Sequence, residues 1–186
     1  MDIRALAEKY EGYIIEQRRW FHAHPELSWE EFGTTDHIQE ELEKMGLEVH
    51  RFEGRPGCTA MIYGGKAVPG AKTVALRADI DALPVEETTK MLFASENPGA
   101  THACGHDNHM AMLLGAAKIL CEVKDELEGN AKAAVPGGRG DLLRCGVLCA
   151  AGCAGRRGCH LWTAYLGWPG SALSECTAGR AHGKLR

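Results

Sequence analysis

At 186 residues the chain can form one domain or slightly more, and 45% hydrophobic residues suit a packed core. A net charge of −4 excludes a global basic footprint for nucleic acid. Met1-Asp2-Ile3-Arg4 lacks the basic-then-apolar order of a signal peptide, and Met110–Leu120, the longest apolar stretch, is too short to span a membrane, so a cytoplasmic protein with no membrane partner is expected.

Residues 4–23 read as an amphipathic helix, with Ala5, Leu6, Tyr10, Tyr13, Ile14 and Phe21 near helical spacing. His24-Pro25 ends it, because the residue before proline avoids helical geometry. A second helix runs to Met45, capped by Thr34 or Thr35 and stopped by Gly46. Strands are expected over 47–52, 58–63 and 73–79. The third is apolar on both faces, which suits a central strand covered on both sides. Its polar end, Arg77 to Asp81, then falls at the carboxyl edge of the sheet, where α/β folds place their sites. Residues 108–121 predict a buried helix, and Glu122 to Glu128 its solvated end.

Composition breaks near Asn130. Residues 1–130 hold 23 acidic against 13 basic side chains, a net of −10; residues 131–186 hold 2 against 8, a net of +6. The tail also carries five of the eight cysteines and 11 of the 23 glycines. Its Gly-rich segments show no periodicity, so a domain over 1–130 followed by a poorly ordered tail over 131–186 is expected. Without an export signal the thiols are expected to be reduced, so the cysteines serve as metal ligands or arise by chance.

The densest chemistry lies in His102-Ala103-Cys104-Gly105-His106-Asp107-Asn108-His109. One thiol, three imidazoles and a carboxylate are the donors a borderline-soft divalent metal prefers. Gly105 lets the backbone bend so that Cys104 and His106 can reach one ion. The run immediately precedes a helix, where the dipole favours an anion such as a thiolate. Asp79 or Asp81, at the strand end, can stand behind a metal-bound imidazole and fix its tautomer.

Three stretches carry a family resemblance: Trp20-Phe21-His22-Ala23-His24-Pro25-Glu26-Leu27-Ser28, Leu76 to Val85, and His102 to Ala117. They resemble the amidohydrolase branch of the zinc-type metallopeptidases, which includes hippurate hydrolases, N-acyl-amino-acid amidohydrolases, N-acetyldiaminopimelate deacetylases and auxin-conjugate hydrolases. The resemblance covers residues 1–130 almost continuously. It implies an α/β catalytic domain with a central mixed sheet flanked by helices. It also implies one or two divalent ions (Zn, Mn, Co or Ni) and hydrolysis of the amide of an N-acyl amino acid or small peptide. Cys104 and His106 match metal ligands, and Asp79 matches the strand-end aspartate that orients the site. Asp81, His102, Asp107 and His109 are supporting candidates. His160, in a Gly-x-His-x-Trp-like segment, is a third ligand candidate.

Where the family carries Pro-Ala-Glu-Glu, this chain reads Pro136-Gly137-Gly138-Arg139, with no acidic residue between Glu128 and Asp141. Reading-frame damage of the tail, and absence of the family's lid (dimerisation) domain and C-terminal half, are therefore expected. So is weak or absent activity. Two other readings compete. Cys145, Cys149, Cys153 and Cys159-His160 could form a structural zinc module, although no Cys-x-x-Cys knuckle is present. The domain could also bind ligand without catalysis.

Overall fold

The computed structural model describes residues 2–138 and the backbone of residues 159–163. Helix α1 (Ile3–Ala23) starts where the Asp2 carboxylate accepts from the amides of Arg4 and Ala5. Helix α2 (Phe32–Lys44) is capped differently from the expectation. Neither threonine caps it. The Glu26 carboxylate reaches across the turn and accepts from Gly33 N at 3.0 Å and Thr34 N at 2.6 Å. Thr35 instead donates to the Glu31 carbonyl and accepts from Gly57 N, tying α2 to the sheet.

Five strands follow: β1 (Val49–Arg51), β2 (Gly57–Ile62), β3 (Thr73–Arg77), β4 (Asn130–Pro136) and β5 (Cys159–Thr163), in the order β1-β2-β4-β3-β5. β1 and β2 pair antiparallel, as do β2 and β4, whereas β4, β3 and β5 run parallel. Helix α3 (His106–Glu122) makes the crossover from β3 to β4, as a parallel pair requires. The sheet is mixed, as expected.

Cys58, Ala60 and Ile62 of β2 lie opposite Val135, Ala133 and Ala131 of β4, and all six belong to the core. Against this face pack Phe21 of α1, Ile38 and Leu42 of α2, and Met110, Leu113, Leu114 and Ala117 of α3. Burial of these apolar surfaces is the main stabilising contribution.

Three expectations change. The strand buried along its length is β4, not β3; Val74 of β3 is exposed. A boundary at 130 would cut the sheet, because residues 131–136 lie between β2 and β3. The charged run after α3 is a 3₁₀ turn, Lys124–Glu126, rather than a helix end. The cysteines at 145, 149 and 153 lie outside the described residues, as do the side chains of Cys159 and His160 and the remaining order of the tail.

Candidate metal centre

β3 and β4 run parallel, so both end on the same edge of the sheet. Asp79 and Asp81 follow β3, and Gly137-Gly138 follow β4. Helix α3 begins at His106, two residues earlier than its apolar pattern indicates, which places His106 in the first helical turn. Gly105 precedes it at φ 80°, in the left-handed region. An added Cβ there would meet only the Asn108 side chain at 3.8 Å, so backbone conformation rather than space calls for glycine.

His106 is the best-held residue of the set. Its Nδ1 lies 2.8 Å from the Asp81 carbonyl and 3.0 Å from Asp81 Oδ1. Asp81 is buried. The hydrogen bond that His106 donates to the Asp81 carboxylate is the largest influence and raises the His106 pKa against the opposing effect of burial. With Nδ1 engaged by oxygen acceptors, Nε2 is the ring nitrogen left for a ligand. Asp79 behaves otherwise: its Oδ1 accepts from Arg77 Nη2 at 2.6 Å. The carboxylate bonded to His106 Nδ1 is that of Asp81.

Cys104 is exposed, one residue before the Gly105 cap. His102 is buried, and burial pushes its pKa down to about 4; among the described residues neither of its ring nitrogens has a hydrogen-bond partner. His109 stands 5.3 Å from His106, ring to ring, and burial lowers its pKa. Asp107 is engaged by other partners. Its Oδ2 lies 2.7 Å from His22 Nδ1 and 3.1 Å from Arg18 Nε, and its Oδ1 accepts from the Asn108 backbone.

The sequence reading missed Glu31. This carboxylate is fully buried and accepts from Gly138 N at 2.6 Å through Oε1, while Oε2 has no partner among the described residues. Burial raises its pKa, and the nearby Asp81 charge acts in the same direction. Gly138 has φ 71°, and a Cβ there would lie 2.6 Å from the Trp29 ring. His22 and Glu87 were missed as well. His22 stands inside a quoted motif, but neither periodicity nor spacing marks it as a buried bridge.

A zinc-type ion suits the thiol and imidazole donors, and the Asp81–His106 pairing supplies the support that a metal-bound imidazole needs. Among the described residues, however, no three His, Cys, Asp or Glu side chains gather as a metal would require. What fits is part of a coordination shell.

Residues 75–135 match Peptidase family M20/M25/M40. The chain is 38% identical over 169 residues to an N-acyl-L-amino acid amidohydrolase of Geobacillus stearothermophilus, covering 87% of this chain and 44% of that protein. It is 47% identical over 120 residues to an N-acetyl-L-cysteine deacetylase of Bacillus subtilis, covering 64% and 28%. A solved dinuclear metal-binding peptidase of the M20 family from Bacillus subtilis superposes with a TM-score of 0.68 at 36% identity, over 76% of this chain and 41% of that one. The N-terminal part thus resembles the amidohydrolase branch of the zinc-type metallopeptidases. The chain spans less than half the length of each of these proteins. No helix among its described residues is long and apolar enough to cross a membrane.

Proposed function

We propose that this chain carries one side of the metal centre of an amide hydrolase acting on N-acyl amino acids or small peptides. Cys104 and His106 are its ligands, His160 is the candidate third, and the ion is Zn, Mn, Co or Ni, one or two per site. The observation that carries the reading is the bond between His106 Nδ1 and the buried Asp81 carboxylate, which presents Nε2 outward. A bound divalent ion would polarise the substrate carbonyl and lower the pKa of a coordinated water. Asp81 orients His106, and Asp79, held by Arg77, lends negative charge to the same edge. Cytoplasmic location and the absence of nucleic-acid partners remain expectations from composition.

The reading includes weak or absent turnover. Gly137-Gly138-Arg139 offers no carboxylate where the resemblance places the general base. Loss of such a base costs about 10²–10⁴-fold in rate. The buried Glu31 touches that strand end through Oε1, which accepts from Gly138 N, and its raised pKa reflects burial.

The test is a Zn²⁺ and Mn²⁺ titration of the full chain by competition with a chromophoric chelator, together with hippurate and N-acetyl amino acid assays. Binding that is lost in both Cys104→Ser and His106→Ala, with turnover near background, is the expected result. Binding indifferent to both substitutions would refute the assignment. Metal retained by Cys104→Ser but lost on replacing Cys145, Cys149 and Cys153 would place the ion in the cysteine-rich tail instead.

A further inference from the structure

Residues 84–100 leave the sheet edge just after Asp81 and return just before His102, so the roots of this loop are the two halves of the candidate centre. Its neck is closed by backbone bonds, Leu83 N to Thr101 O at 2.9 Å and Thr101 N to Leu83 O at 3.0 Å. Between these roots the chain forms neither helix nor strand; Glu96 N donates to the Ala23 carbonyl at 2.8 Å, and side chains add the remaining ties.

His22, in the last turn of α1, supplies it. Nδ1 lies 2.7 Å from Asp107 Oδ2, beside the ligand turn, and Nε2 lies 3.2 Å from Glu87 Oε1, inside the loop. Each ring nitrogen of His22 thus faces a carboxylate oxygen, one from the helix start and one from the loop. The side chains of His22, Asp107 and Glu87 are 9%, 1% and 7% exposed. Arg18 Nε adds a cation 3.1 Å from Asp107 Oδ2. Glu87 in turn gathers the loop, accepting from Ser95 N at 2.5 Å and from the Thr89 hydroxyl. Phe93 closes on the edge of His22, with ring centroids 5.7 Å apart, and the Arg18 guanidinium stands over the same ring at 4.9 Å.

We infer that His22 is a positioning residue, a clamp that fastens loop 84–100 to the first turn of α3 and so keeps Cys104 and His106 in register with Asp81. The inference builds on the metal reading for its consequence, while the clamp itself stands on the distances above. His22 touches both the loop and the turn through one ring. Neither ring nitrogen of His22 is left for a ligand, so its effect on the metal passes through Asp107 and the helix start.

The test uses the full chain with His22→Gln and Glu87→Gln, and Cys104→Ser as reference. Trypsin cleavage after Lys90, exposed within the loop, reports loop fastening by mass spectrometry. Co²⁺ titration reports the site through its thiolate-to-metal absorption, scored as the part lost in Cys104→Ser. Both variants are expected to be cut after Lys90 about tenfold faster or more. His22→Gln should weaken Co²⁺ binding about 10–100-fold and reduce the band even at saturating metal, with unchanged far-UV circular dichroism. A merely structural residue would lower stability but leave the saturated band intact. Wild-type cleavage in both variants overturns the clamp. So does faster cleavage with wild-type Co²⁺ affinity and band, because loop and ligand turn would then be independent. Should His22→Gln fail to fold, Glu87→Gln decides by the same criteria. If the wild type shows no Cys104-dependent band, the metal reading fails, and the clamp is judged by Lys90 cleavage and the alkylation rate of Cys104.

Discussion

Two thiols with opposite surroundings set the chemistry at the scale of single residues. Cys58 is fully buried in β2, and burial pushes its pKa up to about 12. Cys104 is exposed at the start of α3. Iodoacetamide should therefore label Cys104 in the native protein while sparing Cys58 until denaturant is added, as read by peptide mass mapping. Asp81→Asn should weaken Zn²⁺ binding about 10–100-fold by loosening His106, measured by chelator competition. Asp79→Asn should have a smaller effect, because its carboxylate is taken up by Arg77. Cys104 and His106 could be read from the sequence because their significance lies in local spacing. The choice between Asp79 and Asp81 could not, because regular pairing stops at Arg77 and only packing decides which carboxylate meets α3.

Helix ends and seams carry the next layer. Glu26→Ala removes the acceptor for two amides of α2 and should cost about 1 kcal/mol of unfolding free energy, seen in urea denaturation. The seam between α1 and α2 is aromatic: Trp20 stacks on His37 at 3.5 Å, and His37 Nε2 bonds the Gln17 amide oxygen at 2.8 Å. Burial lowers the His37 pKa to about 4. Folding thus favours the neutral ring. Its stabilising contribution is present above the unfolded pKa near 6.5 and disappears as pH falls towards 4. The urea midpoint should drop across that window, by about 1–2 kcal/mol in free energy once partial exposure is allowed for, and His37→Phe should flatten the drop. The helices themselves were legible from periodicity. Their caps were not, because Glu26 lies in the preceding turn and only the folded chain brings it to Gly33.

The whole molecule depends on β4. This strand pairs with both β2 and β3, and its residues 131–136 are buried. Ala133→Asp would bury an unpaired charge on the core face at a cost of roughly several kcal/mol, and the cooperative urea transition should collapse to a broad one. A domain that ended at Asn130 would tolerate the change. The compositional break hides β4 because Ala-Lys-Ala-Ala-Val is short and carries little strand propensity of its own. What makes it a strand is the edge that β2 and β3 offer it. The sequence by itself determined the helices, the donor-rich turn before α3, the mixed α/β class and the family resemblance, since all of these are written in residue identity and short-range spacing. Only tertiary structure decided that Asp81 holds His106, that Glu31 meets Gly138, that His22 joins loop to ligand turn and that β4 completes the sheet. Each of these joins residues distant in the chain, and burial and hydrogen bonding between such residues exist only once the chain has folded.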